Sequence, residues 1–518
     1  MQMNLFNISR RRFMGSSAAA GLVTASSLVP LAARAEGPKR GGHLKIGLSG
    51  GASTDSLDAG TYSGAILFTI GKTFGDNLVE SHPTTGEPVP ALAESWEADA
   101  SGTEWTFHIR KGVRFHDGTE MTVADCAQTI RRHADPESKS GALGLLGGIA
   151  RIEERGDDLV IGLTEANADL PLVFSDYHLI VEPNGGLDNP TAGIGTGPYR
   201  LTEYEAGVRA AFVRNEDDWN PDRGFVDSVE IFTINDNTAR IAALTSGQIH
   251  ICDQVDPMLV DLLQTNPGVT VMRSPGKGFY CFLAHCNTAP FDNNDLRTAL
   301  KFAIDRQEIL DKVLGGFGTL GDDYPVNAAY ALAPDDIEPR PFDPDQAAFY
   351  YRKSGHEGPL VLRTADAAFP GAVDAAVLYQ SQAALAGIDI QVQREPDDGY
   401  WSDVWNVQPF SASYWGGRPT QDSRYATNFV SSAEWNDTRF FNPAFDAIVA
   451  QAKGELDTDR RRALYRDAAL IVRNEGGLIL PVFNDYLDAY ASNIGGMIED
   501  ISNGTSGGYA ASRVWFED

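Results

Sequence analysis

The sequence predicts an α/β protein built from two or three domains. Three observations carry this expectation. At 518 residues the chain is too long for one ordinary core. Its content of 42% hydrophobic and 22% charged residues is that of a folded globular chain. From 343 to 393 helical and strand patterns alternate, the order that layers helices on a sheet.

Residues 41–48 read as a first strand, followed by a polar loop to Asp58. Ile66, Ile70, Phe74 and Leu78 fall every four residues, so 62–80 is expected to be helical. Trp105, Phe107 and Ile109 alternate with Thr106, His108 and Arg110. Lys111-Gly112 interrupts the run, and Val113 and Phe115 resume it, which predicts a hairpin. Thr122-Val-Ala-Asp125 offers a capping box for a helix to about Arg131. Strands are expected at 159–163, 209–214 and 231–234, and a helix at 238–246 stopped by Gly247. A strand at 278–286 leads to Pro290, after which Leu296, Leu300, Ala303 and Ile304 mark the inward face of a helix. Asp305 caps its continuation, which Gly315-Gly316 ends. Helices at 343–354 and 374–385 alternate with strands at 360–363 and 389–393. Two amphipathic helices, over 445–452 and 464–472, precede a strand at 478–483.

The first 35 residues read as a targeting segment. Ser9-Arg10-Arg11-Arg12-Phe13-Met14 resembles the twin-arginine export motif, and Ala33-Arg34-Ala35 offers a cleavage point before Glu36. Ser16, Ser17, Thr24, Ser26 and Ser27 leave the intervening stretch weakly apolar and short for a span of about 20 residues, so cleavage is expected over a retained anchor. Removing four arginines and no acids takes the formal charge from −29 to −33. That balance, with Lys and Arg scattered, disfavours nucleic acid or an anionic membrane as a partner. Cys281 and Cys286 share one expected strand, where five residues cover about 16 Å, too far for them to bridge each other.

Signals of reaction chemistry are weak. Gly47-Leu48-Ser49-Gly50-Gly51 has the GxSxG form, but a polar loop follows where a helix should. Nine histidines stand singly, without metal-ligand spacing, and no Lys-Ser/Thr follows Gly195-x-Gly197. No catalytic residue, metal or cofactor is therefore expected. The stretch with the best claim on function is Tyr414-Trp415-Gly416-Gly417-Arg418-Pro419-Thr420-Gln421-Asp422. Aromatics followed by glycines let a ligand approach the backbone, and a cation and an anion four residues apart can grip a zwitterion.

Several stretches together resemble solute-binding protein family 5, the dipeptide, oligopeptide and nickel receptors of bacterial ABC importers. They are ALAESW at 91–96, WTFHIRKGVRFHDG at 105–118, the GTGPY turn at 195–199, Asn215 to Trp219, and the run from Asn287 to Arg306. The resemblance implies a two-lobed periplasmic binding protein clamp with two crossover strands. The first lobe would be 36–275 plus 482–518, with an extra subdomain at about 80–190, and the second 276–481. It implies a monomeric periplasmic receptor that closes on a peptide-like or anionic amino-acid-derived solute, docks on the transmembrane subunits of a permease and does no chemistry itself. In the family's peptide receptors an Asp three residues past the Trp of the aromatic-Gly loop binds the α-amino group. Here Arg418 holds that position, and Asp422 falls near the later Asp-Pro of the family pattern. The residues expected at the ligand are Arg418, Trp415, Tyr414, Gly417 and Asp422, with Tyr62 and Thr196 from the first lobe. An arginine fork in a closing cleft suits a carboxylate.

Overall fold

A computed structural model describes residues 38–517 except Ala168, Ala331 and Leu456, so the expected export segment lies outside the described residues. One sheet runs through the molecule. Its strands lie in the order Ile390–Arg394, Leu360–Thr364, Phe410–Trp415, Val269–Ala284, Leu478–Ala491, Ile251–Cys252, His43–Leu48, Ser228–Thr233, Arg209–Arg214 and Tyr199–Glu205. Gly318–Leu320 adds to it beside Leu478–Ala491.

The strands Val269–Ala284 and Leu478–Ala491 are 16 and 14 residues long and pair with each other antiparallel. One end of this ribbon joins Ile251–Cys252 and the other joins Phe410–Trp415, so both strands pass from one half of the sheet to the other. They are the two crossover strands, and each half of the sheet is the core of one lobe. Leu44, Ile46, Phe74, Tyr199, Phe212 and Ile231 pack the first; Leu296, Leu300, Ile309, Leu362, Tyr379 and Phe410 pack the second. Helix starts follow the caps in the sequence: Asp236, Asn293, Asp305 and Asp343 each accept a backbone N–H from the first turn. Thr122 and Asp125 make both bonds of the capping box at Val123–Ala134. No described helix is long and apolar enough to cross a membrane.

Two expectations need correction. Residues 105–109 and 113–115 do not form a hairpin. Glu104–Ile109 is an inner strand of a four-stranded sheet, between Ala93–Ala98 and Asp158–Leu163. The 113–121 segment folds on itself, with Phe115 N–H donating to Thr119 O. Alternation identifies a half-buried strand but not its neighbours. The first helix is also shorter than expected, Ala65–Phe74. It ends at Gly75, where a Cβ would stand 2.2 Å from Ile180, so Leu78 joins the core from an extended segment instead.

Candidate functional site

The stretch singled out in the sequence begins as a sheet strand. Phe410–Trp415 pairs with the crossover strand, placing Tyr414 opposite Tyr280 and Trp415 opposite Phe279. Trp415 belongs to a knot of indoles: Trp405 and Trp435 lie 6.0 and 5.9 Å from it, and Trp401 stands 5.3 Å from the Tyr414 ring. The Nε1–H groups of Trp405 and Trp415 both donate to Asp437 Oδ2, at 3.0 and 2.9 Å. Burial nevertheless pushes the Asp437 carboxyl up to about 7.

The two glycines then have a different role from the expected one. A Cβ on Gly416 would sit 2.2 Å from Asn503 Oδ1, and one on Gly417 would sit 2.7 Å from Ser502 Cα. Gly417 N–H donates to Ser502 O at 2.6 Å and to Tyr486 Oη at 2.9 Å. The space beside both glycines is thus taken by the protein's own 502–503 segment, and the close backbone approach is intramolecular.

Arg418 follows, 4% exposed, with its guanidinium over the Tyr177 ring at 5.2 Å. Its Nη2 donates to Tyr177 Oη at 3.4 Å, its Nη1 lies 3.8 Å from Asp176 Oδ2, and its Nε has no partner among the described residues. Burial alone would raise the Asp176 carboxyl, but His178 and Arg418 hold it well below the usual carboxylate range. The His178 ring bridges Asp176 Oδ1 and Tyr62 O. Tyr177 packs against the core that holds Leu44 and Ile46, and Arg418 follows a strand of the other half of the sheet, so this contact bridges the two halves.

Three spaces lie along this part of the molecule. One, of about 490 Å³, lies between Phe68, Tyr177, Trp401, Trp415, Arg418 and Asn503. Another, of about 510 Å³, continues past Arg418 and Asp176. The third, of about 610 Å³, runs along the crossover strands and is walled by Tyr280, Tyr414, Asp485 and Asp488. Phe68 and Asn503 face all three.

The structure therefore gathers Tyr414, Trp415, Gly417 and Arg418 at one cleft, and it does not bring the other three expected residues there. Asp422 sits on the helix Gln421–Asn428, faces a separate space lined by Leu145, Ile149, Leu163 and Leu170, and lies 3.9 Å from Lys453 Nζ. It cannot orient Arg418, whose acidic neighbour is Asp176. Tyr62 is buried in the first lobe with its hydroxyl on Leu57 O, and only its carbonyl reaches toward the cleft, through His178. Thr196 is fully buried and donates to Asp76 Oδ2 at 2.9 Å. Asp76 also receives Trp219 Nε1 and two nitrogens of Arg223, so the GTGPY turn and the Asn215–Trp219 segment meet at a structural node. Ser49 of the GxSxG match donates its hydroxyl to Asp253.

Sequence reading missed Phe68, Asp176, Tyr177, Trp401, Asn503 and Asp488. Ser175-Asp176-Tyr177-His178, an acid beside two ring-bearing residues, was the one local signal available.

Comparison with known proteins agrees with this architecture. Residues 87–437 match the model of bacterial extracellular solute-binding proteins, family 5 middle. Heme-binding protein A of Haemophilus influenzae is 26% identical over 449 residues, covering 77% of this chain and 80% of that protein. The fold is that of the periplasmic binding protein DppA from Helicobacter pylori in complex with the peptide STSA, at a TM-score of 0.84 and 21% identity over 93% of this chain and 99% of the other. The PBP AgaA from A.tumefacien R10, in complex with agropinic acid, superposes with a TM-score of 0.83 and 20% identity, over 92% and 99% of the two chains. With the two lobes, the paired crossover strands and an aromatic cleft between them, the match over residues 87–437 shows that this chain belongs to family 5 of the bacterial extracellular solute-binding proteins.

Proposed function

We propose that the protein is the periplasmic receptor of an ABC importer, exported by the twin-arginine route. It captures a peptide-like or amino-acid-derived, carboxylate-bearing solute between its lobes and hands it to a membrane permease without changing it. The first lobe is taken as 36–275 with 482–518, its subdomain as about 80–190, and the second lobe as 276–481. The observation that carries this reading is Arg418: a buried guanidinium at the lobe seam, one nitrogen unpartnered among the described residues, beside a space with aromatic walls. Asp176 at 3.8 Å is a loose partner for this fork, whose remaining capacity suits a second, ligand carboxylate. The complexes of similar proteins with the peptide STSA and with agropinic acid support a small organic solute.

Native mass spectrometry of protein recovered from its own host tests the reading. It should show a chain beginning at Glu36 and one unmodified solute per molecule. Arg418→Ala should weaken that solute's binding by about 2–5 kcal/mol, mainly through faster release, and Arg418→Lys should restore part of it. Undiminished binding by Arg418→Ala would remove the carboxylate from the proposal.

A further inference from the structure

The space along the crossover strands is lined by three aspartates, and they are not equivalent. Asp253 accepts Ser49 N–H and the Ser49 hydroxyl, with Arg240 Nε at 3.4 Å. Asp485 Oδ2 is paired with Arg273 Nε. Asp488 has no cation partner among the described residues. Its Oδ2 accepts one backbone N–H, from Thr505 at 2.6 Å, and its Oδ1 accepts nothing from the described residues although the residue is 1% exposed. A buried carboxylate in that condition is neutralised by a proton or by a cation brought to it.

The backbone around it is held out of ordinary conformations. Thr505 and Ser506 have φ of 52° and 54°, and across the chamber Gln254 has 45°. Positive φ in such residues carries strain that the surrounding structure must maintain. Here it accompanies a Thr505 N–H directed at Asp488, whose second oxygen is buried beside the chamber without a partner among the described residues.

We propose that Asp488 is the anchor for a protonated amine of the ligand. The solute would then lie along the cleft with its amine at the crossover strands, its apolar part against Phe68 and Tyr414, and its anionic end at Arg418. The anionic end rests on the function proposed above; the amine end rests on Asp488 alone. The polarity is opposite to that of a peptide held by its α-amine at the aromatic-Gly loop.

A proton balance accompanies this binding. Burial, with Asp253 and Asp500 adding to it, pushes the free Asp488 carboxyl up to about 8, and the Thr505 N–H offsets part of the shift. Asp485, Tyr280, Tyr414 and Tyr486 are the other titratable groups walling the chamber. A carboxyl protonated at pH 7 must lose its proton when an ammonium docks, so an amine ligand should expel about one proton to the buffer.

Three probes separate the two ends: phenethylamine, 3-phenylpropionate and the dipeptide Phe-Leu. By calorimetry at pH 7, phenethylamine and Phe-Leu should bind the wild type and release about one proton, as read from heats in buffers of different ionisation enthalpy. Asp488→Asn keeps the shape and should weaken both by about 30-fold or more and abolish the proton release, with the melting temperature of the empty protein maintained. It should leave 3-phenylpropionate unaffected, whereas Arg418→Ala should weaken 3-phenylpropionate and Phe-Leu and leave phenethylamine unaffected. Amine binding lost with Asp488→Asn but no binding of 3-phenylpropionate by any form would remove the carboxylate and leave the amine anchor standing. No heat from phenethylamine or Phe-Leu on the wild type at about 10 mM, a Kd range in which even weak anchors register, overturns the anchor, as does equal binding by Asp488→Asn.

Discussion

Asp76 and Asp176 are both buried aspartates, each facing an arginine, and they are built differently. Asp76 accepts from Thr196, Trp219 and two nitrogens of Arg223. Burial would raise its carboxyl, but Arg223 and these bonds bring it below the ordinary range. Asp176 meets its arginine at 3.8 Å, and that arginine keeps an unpartnered nitrogen. The first cluster is saturated from within the fold, and its members come from one lobe. The second spans two lobes and has bonding capacity left over. Saturation marks a group that holds the structure; capacity left over in a buried group marks one that waits for something else.

Breaking the saturated cluster should give the largest effect. Asp76→Ala leaves Arg223 with only the Asp218 carboxylate and leaves Thr196 and Trp219 without their acceptor, and it should lower the unfolding free energy by about 3–5 kcal/mol in urea titrations. Arg418→Ala, removing a looser contact, should shift the same titration by about 1 kcal/mol or less. Near-equal losses in the two variants would end the distinction drawn between them.

Asp437 is an intermediate case, with two indole donors on one oxygen and nothing on the other among the described residues. Its carboxyl, near 7 in the folded protein against 3.8 as the ordinary value, binds a proton there that the unfolded chain has already lost. Its contribution is therefore full below about pH 4 and is lost as pH rises toward 7. Asp437→Asn should flatten the fall in stability across that window by up to about 1.4 kcal/mol per pH unit. An unchanged slope would mean the carboxyl is ionised in place.

Tyr62→Phe should give the smallest effect. It removes the bond to Leu57 O and should cost about 1 kcal/mol of stability, while the carbonyl that holds His178 stays. Solute binding should be unchanged in calorimetry; a clear loss would return Tyr62 to the ligand site.

Much of the fold was legible in the chain because its signals are local. The cap at Thr122, the strand over 209–214 and the helix entered through Asp305 depend on neighbours within a few residues. Pairing partners were less legible: the 104–109 strand borders one segment across a tight turn and another near residue 160. The cleft was legible only on the Arg418 side. Asp176, Asn503 and Asp488 meet that loop through the topology, and no spacing in the sequence announces it. The glycines beside Trp415 misled for a related reason. A missing side chain signals close approach, but not whether the visitor is a ligand or residues 502–503.

The pairing of the two crossover strands is broken between Pro275 and Phe279, where three residues of one strand oppose one of the other. The interrupted stretch is tied sideways instead: Lys277 N–H donates to Ile501 O, and Gly276 O accepts from Asn327 Nδ2. In mechanical terms the ribbon is a leaf spring thinned at its middle, so bending concentrates where the ladder is absent. The tie to Ile501 continues into Ser502, whose carbonyl receives Gly417 N–H beside Arg418. Flexing of the spring and displacement of the Gly417–Arg418 loop therefore share one short lever, residues 501–502, and its stiffness sets how much of a pull at one end is felt at the other.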